Sequence, residues 1–225
     1  MGNFFNMDNP FFTTLGKICD LLFLSLIWTL VCIPVVTIGP ANTALYYATV
    51  KVIRRERGYL MREFFKSFKL NFKRAAIIGV ILTVAFVVLG FDLIWAYANL
   101  GSGTTSSILF GVFVAITFLL VSFSTYAFPV LSRFDMTIKQ LSKAAIFMSI
   151  RHLPSTVAMV IITAAGIIGV LFIPILMFVV PATVVLLNSL LMERVLKKYM
   201  PKAEENPDEE NPDGEHPVKD EWYLE

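Results

Sequence analysis

The sequence predicts an all-α fold, a polytopic helical membrane protein, on three observations. Of its 225 residues, 56% are hydrophobic and only 16% charged, against about 45–50% and about 25% in a water-soluble domain. The charges are segregated, leaving apolar runs of about twenty residues or more, long enough to cross about 30 Å of hydrocarbon. The cations collect in alternate connections, as positive-inside bias requires.

Taken in order, the chain gives five strong transmembrane spans, one short helix, and amphipathic helices on the cytoplasmic face. Residues 1–16 mix Phe4, Phe5, Phe11 and Phe12 with small polar groups, a composition suited to a bilayer interface. No cation precedes Lys17 and no A-x-A site follows the first apolar run, so a cleaved signal peptide is not expected. The first span runs from Ile18 to Thr37, with Lys17 and Asp20 close enough on one face to pair. Pro34 is a helix break, and Gly39-Pro40 reads as a turn.

Proline suits the first turn of a new helix, so Ala41 to Arg57 reads as the short Gly-Pro-initiated helix. Its uncharged part, Ala41 to Val50, is too short to cross unaided. Either it forms a hairpin with the first span, with Lys51, Arg54 and Arg55 snorkelling to the cytoplasmic face, or it lies in the interface. Two breakers so close together favour the hairpin.

Gly58 stops that helix, and Tyr59 to Lys73 follows as an amphipathic one. At 100° per residue Met61, Phe64, Phe65, Phe68 and Phe72 share an arc beside Arg62, Lys66, Lys69 and Lys73, the pattern of a helix lying flat on an anionic surface or against a partner. From Lys51 to Arg74 there are nine cations against Glu56 and Glu63. Arg62, Phe64, Phe65, Lys66, Phe68 and Lys69 are therefore the candidate docking surface for anionic lipid or a partner subunit.

Ala75 to Ala98 is the second span, and Asn99 to Ser107 an uncharged loop. Ile108 to Leu131 is the third span, its end marked by Pro129. Ser132 to His152 is basic again and places Ile138, Leu141, Ala145 and Met148 on one helical face. From Leu153 to Met192 forty residues carry no charge. A helix that long would measure about 60 Å, so the run must fold back. Pro174 is the expected hinge, between spans 154–173 and 175–192. Arg194, Lys197 and Lys198 then place the C-terminus in the cytoplasm. The membrane domain thus covers residues 1–200. Residues 201–225 form an acidic tail with the composition of a disordered segment, in which Trp222, Tyr223 and Leu224 could dock. Lys66 to Arg74 is weakly echoed by Lys143 to Arg151, as in parallel repeats.

The run PVVTIGPANTALYY (34–47), followed by R-x-x-G-Y-L-x-R-x-F-F-K-S-F-K-x-N-F-K (55–73) and R-H-L-P (151–154), resembles the YesL-like family of bacterial integral membrane proteins, a domain of unknown function. The similarity extends over residues 1 to about 200. Such proteins are typical of Firmicutes and are often encoded beside carbohydrate importers. The resemblance therefore implies a cell-membrane protein with an accessory or regulatory role in sugar uptake, in complex with an ABC-type importer. It implies no nucleic-acid partner.

No H-E-x-x-H, G-x-S-x-G or P-loop is present, and Cys19 and Cys32 lack metal-ligand spacing. No enzymatic activity, metal or cofactor is expected. The importer-type E-A-A-x-x-x-G loop is also missing. Asp92 is the one acid read as lying well inside a span, which makes it the candidate for the alternative function, a secondary transporter or channel. Asn42 and Asn188 read as inter-helix hydrogen-bond formers.

Overall fold

Two reversals in the first hundred residues set the architecture of the computed structural model, which describes residues 10–101 and 103–199. Among the described residues every regular element is helical. The expectations for residues 1–9 and for the acidic tail, 201–225, lie outside them.

Helix α1 (Pro10–Val31) ends before Pro34, and a single 3-10 turn (Val35–Thr37) leads into α2 (Ile38–Ala48). Gly39 and Pro40 are thus the first turn of a helix, not a loop. At that position the missing proline N–H would have no helical partner anyway. Six residues in π conformation, Thr49–Arg54, continue α2. Lys17 near the start of α1 pairs with Glu56 beyond α2 at 2.6 Å, where Asp20 was expected. The indole N–H of Trp28 donates to Asn42 Oδ1 at 2.9 Å, so α1 and α2 run antiparallel.

The second reversal uses two left-handed residues, Glu56 (φ 57°) and Gly58 (φ 84°). Then α3 runs unbroken from Leu60 to Ala98, 39 residues or about 58 Å. The expected boundary between an amphipathic helix and a separate span at Ala75 does not exist. Lys73, Arg74, Ala75 and Ala76 are good helix formers, and a change of polarity is no reason for the backbone to stop.

Helix α2 lies antiparallel along residues 60–79 of α3, from the Lys51–Glu63 ion pair at one end to the Gly39–Gly79 contact at the other. A Cβ on Gly39 would stand 2.0 Å from the Ala75 carbonyl oxygen, and one on Gly79 2.6 Å from the Gly39 Cα. Only glycine permits this approach, the small-residue crossing common between membrane helices. Nearly all of α2 is buried, Tyr46, Val50 and Lys51 included. It is the central helix and touches α1, α3, α4 and α7. With α1 it forms the antiparallel hairpin.

Helix α4 (Thr104–Arg133) returns along α3 and carries Pro129 in its interior instead of ending there. Thr137 and Gln140 close a capping box on α5 (Ile138–Arg151), which buries Leu141, Ala145 and Met148 as the pattern required. His152 and Pro154 separate α5 from α6 (Leu153–Phe172). At that joint the Thr156 hydroxyl bonds to Ser149 O at 2.8 Å and to Tyr126 Oη of α4 at 2.9 Å. Pro174 opens a 3-10 turn, Pro174–Phe178, and the chain folds back as α7 (Val180–Leu196). Asn188 of α7 donates to Thr163 of α6 at 3.0 Å.

The distribution of side chains is inverted relative to a water-soluble bundle. Leu22, Phe23, Ile81, Val88, Phe91, Ile161 and Leu171 face outward, while Lys51, Glu63, Arg133 and Glu193 are enclosed. Exposed apolar area on this scale marks a lipid-facing surface. Among the described residues four helices, α1, α3, α4 and α6, are long and apolar enough to cross a membrane. At 17 residues, with Glu193 and Arg194 in its last turn, α7 is shorter than these. The protein has the build of a multi-pass membrane protein.

Candidate functional site

Glu193 is the point on which four helical segments converge. The face of α7 that carries Ala182, Ser189, Met192, Glu193 and Leu196 is buried, and the carboxylate is only 3% exposed. Arg133, at the end of α4, donates from Nη2 to Glu193 Oε1 at 2.6 Å. Tyr46 of α2 donates its hydroxyl to the same oxygen at 2.8 Å. Arg55 approaches the other oxygen, Oε2, to 3.8 Å, and Oε2 accepts no hydrogen bond among the described residues. Arg54 Nη1 donates to the Ser189 carbonyl one turn earlier on α7, at 2.9 Å. A buried ion pair of this kind survives desolvation only where each member has its partner.

Next to this network lies a cavity of about 400 Å³ lined by Arg54, Arg55, Arg57, Glu193 and Lys197. Partial burial pulls the Arg55 guanidinium below the usual arginine range, opposed by the Glu193 carboxylate. Twelve residues along α3 from Ala75, Lys51 Nζ donates to Glu63 Oε2 at 3.0 Å and stands over the Tyr47 ring. Lys51 was expected to snorkel outward; a buried carboxylate holds it inside instead.

A family model described as "Protein of unknown function, DUF624" matches residues 21–93. Two curated proteins of Bacillus subtilis (strain 168) are similar. The uncharacterized protein YesL is 26% identical over 164 residues, covering 72% of this chain and 74% of YesL. The uncharacterized protein YteU is 29% identical over 141 residues, 62% of each chain. The resemblance to the YesL-like family is shown. No solved structure matches the chain.

The stretch matching the YesL-like family model contains α2 and nearly all of α3, and so supplies Tyr46, Lys51, Arg54, Arg55, Arg57 and Glu63. Arg133 and Glu193 lie outside it and complete the charge network. Glu193 escapes a reading of the sequence because it stands beside Arg194 at the end of an apolar run and is counted with the cations. The signal that finds it is spacing: Ala182, Leu186, Ser189, Glu193 and Leu196 recur on one face of α7.

The candidate docking residues divide between two faces of α3. Arg62, Phe65, Lys66 and Lys69 are exposed and Phe68 is half-buried. Phe64 is fully buried beside Leu45, Ile53 and Ala182, so it anchors α3 and is not itself a surface residue. The rings of Phe64, Phe65, Phe68 and Phe72 contact one another along the helix, with centroids 5.4–6.4 Å apart. Asp92, on the distal half of α3, is half-buried. Among the described residues the buried acids are Glu63 and Glu193.

Proposed function

We propose that this protein is an accessory subunit of the cell membrane, linked to carbohydrate uptake, which holds a partner through the exposed face of the first turns of α3. The observation that carries the reading is the two-sidedness of that segment. Glu63, Phe64 and Ser67 are buried in the bundle, while Arg62, Lys66 and Lys69 stand outside beside Phe65. A cationic and aromatic surface fixed on a helix suits docking, because little backbone ordering is left to lose on binding. Near an anionic leaflet each such cation adds about 1 kcal/mol, so acidic lipid reinforces the same contact. The link to a sugar importer comes from the family resemblance alone.

In this reading α7 and the Pro174 turn complete a fifth crossing, α2 makes the sixth by its hairpin with α1, and the cationic segments and the C-terminus face the cytoplasm. Lys17 beside Glu56 supports placing the start of α1 on that side too. Labelling single introduced cysteines from outside intact cells tests the arrangement. Reaction at Ser106→Cys but not at Lys69→Cys or Lys198→Cys is the expected result, and the reverse pattern defeats it.

The docking test is co-purification from native membrane. Lys66→Glu/Lys69→Glu is expected to lose the partner complex while keeping its own thermal unfolding unchanged, and undiminished recovery of the complex refutes the proposal. A second reading, transport of a small solute, is favoured by Asp92 in the apolar half of α3. Solute flux into proteoliposomes that Asp92→Asn stops would support it, and flux equal to empty liposomes across a sugar panel would remove it.

A further inference from the structure

Helix α5 has two faces, and packing within the bundle accounts for one of them. Leu141, Ala145, Met148 and Ser149 are buried. On the opposite side, at 100° per residue, Ile146, Phe147 and Ile150 are 49%, 52% and 59% exposed. Exposed Lys139, Lys143 and Arg151 are interleaved with them. A face turned to water would carry polar groups, and one turned to hydrocarbon would carry no cations. Large apolar side chains mixed with lysine and arginine belong at the boundary, where stems and rings enter the acyl layer and charged heads meet phosphate.

Two observations favour lipid over protein as the cover. The exposed apolar stripe continues into α6 as Leu153, Val157 and Ile161, and α6 is long and apolar enough to cross a membrane. The charge is also of one sign: no acid lies between Asp135 and Glu193 in the sequence, and Asp135 is paired with Arg74. The C-terminal end of the face is the most organised. There the Arg151 guanidinium lies over the Phe147 ring, 5.6 Å from its centroid. Tyr199 meets the same ring edge-on at 6.3 Å, and its hydroxyl is 3.2 Å from His152 Nε2. Arg151 and the exposed Lys198 both act electrostatically on His152. Two cations thus gather beside a tyrosine, a residue enriched at the membrane–water boundary.

We propose that the outer face of α5 binds anionic phospholipid, with Arg151 and Lys198 on one headgroup phosphate and Lys143 on the next. Ile146, Phe147 and Ile150 then lie among the first methylenes. Lys143 and Arg151 are about 12 Å apart along the helix axis, which suits neighbouring headgroups. Arginine offers a planar fork that matches phosphate oxygens. A zwitterionic headgroup is disfavoured because α5 has no acid to receive its ammonium. The face shares no residue with the docking surface of α3 and does not depend on it.

The full chain in lipid nanodiscs tests this, with Cys19 and Cys32 replaced by Ala and a fluorophore attached at Ile150→Cys. Quenching is measured with nitroxide-labelled phosphatidylglycerol and nitroxide-labelled phosphatidylcholine at equal mole fraction. Both lipids should quench, with phosphatidylglycerol enriched about fivefold or more around the label. The same label at Ile161→Cys, in the hydrocarbon, should be quenched equally by the two. Arg151→Gln/Lys198→Gln, at exposed positions, should abolish the preference at position 150 while quenching and thermal unfolding persist. Added salt should shrink the preference without any substitution. No quenching at position 150 by either lipid, the result if the acidic tail or a partner protein covers α5, overturns the proposal. So does equal quenching by the two lipids there, a preference indifferent to salt, or one that survives Arg151→Gln/Lys198→Gln. Lys66→Glu/Lys69→Glu, which should lose the partner complex, is expected to keep the preference at position 150, and its loss there would overturn the assignment to α5. Failure here and failure of the docking proposal are therefore distinguishable.

Discussion

Replacing Glu193 by Gln changes one buried charge and almost no volume. The amide oxygen can still accept from Tyr46, but Arg133, with its side chain 1% exposed, is left as a positive charge without its carboxylate. Breaking a buried pair in this way costs about 3–5 kcal/mol, and the retained acceptor places Glu193→Gln near the lower figure. For a chain of this size that corresponds to a fall of about 6–12 °C in the unfolding midpoint. Removing both charges should cost far less, because apolar pairs of similar volume are often as stable as the ions they replace. Arg133→Met/Glu193→Leu still strands the Tyr46 hydroxyl, at about 1–3 kcal/mol, and adding Tyr46→Phe should restore most of that. The assay is thermal unfolding of detergent-purified protein followed by far-UV circular dichroism. A midpoint for Glu193→Gln within 1 °C of the unaltered protein would refute the reasoning. So would losses from Arg133→Met and Glu193→Leu that simply add.

Three further outcomes are expected in the same assay. Gly79→Val should cost at least about 1–3 kcal/mol, because its Cβ meets backbone of α2 that no rotamer change can move; Gly111→Val, where nothing lies within 4 Å, should be nearly silent. Arg74→Gln removes an ion pair with Asp135 whose side chains are 45% and 54% exposed, and should change stability by less than about 1 kcal/mol. His152 is held below the usual histidine range by burial first and by Lys198 and Arg151 next. The unfolded chain therefore binds more protons there, and stability should fall as the pH drops below about 6.5; His152→Gln should flatten that slope.

What could be read from the sequence followed from length and from hard stereochemistry. Forty uncharged residues had to fold back, and Pro174 is where they do. Gly58 had to mark a break before α3, and it supplies one of the two left-handed residues of that turn, although the helix already stops at Arg54. What could not be read depends on neighbours distant in the chain. By length alone the uncharged ten residues of Ala41 to Val50 are too short to cross a membrane unaided. They become the central helix because α1, α3, α4 and α7 enclose them and Glu63 neutralises Lys51. The drop in polarity at Ala75 predicts a joint, but no breaker stands there and α3 continues through it. Pro129 does mark the neighbourhood of the end of α4, which stops four residues later at Arg133. Of the candidate site, Arg54, Arg55 and Arg57 were visible as a cationic run. Their convergence on Glu193, about 140 residues away in sequence, exists only in three dimensions.

The two echoed segments differ mechanically. Between Lys143 and the apolar part of α6 the backbone has an articulation at His152 and Pro154, so force applied to α5 can be absorbed there. Between Lys66 and the apolar part of α3 there is no such joint. The phenylalanine ladder at one extremity of that 39-residue rod is thus joined by continuous helix to its far tip, Asp92 and Trp95 included.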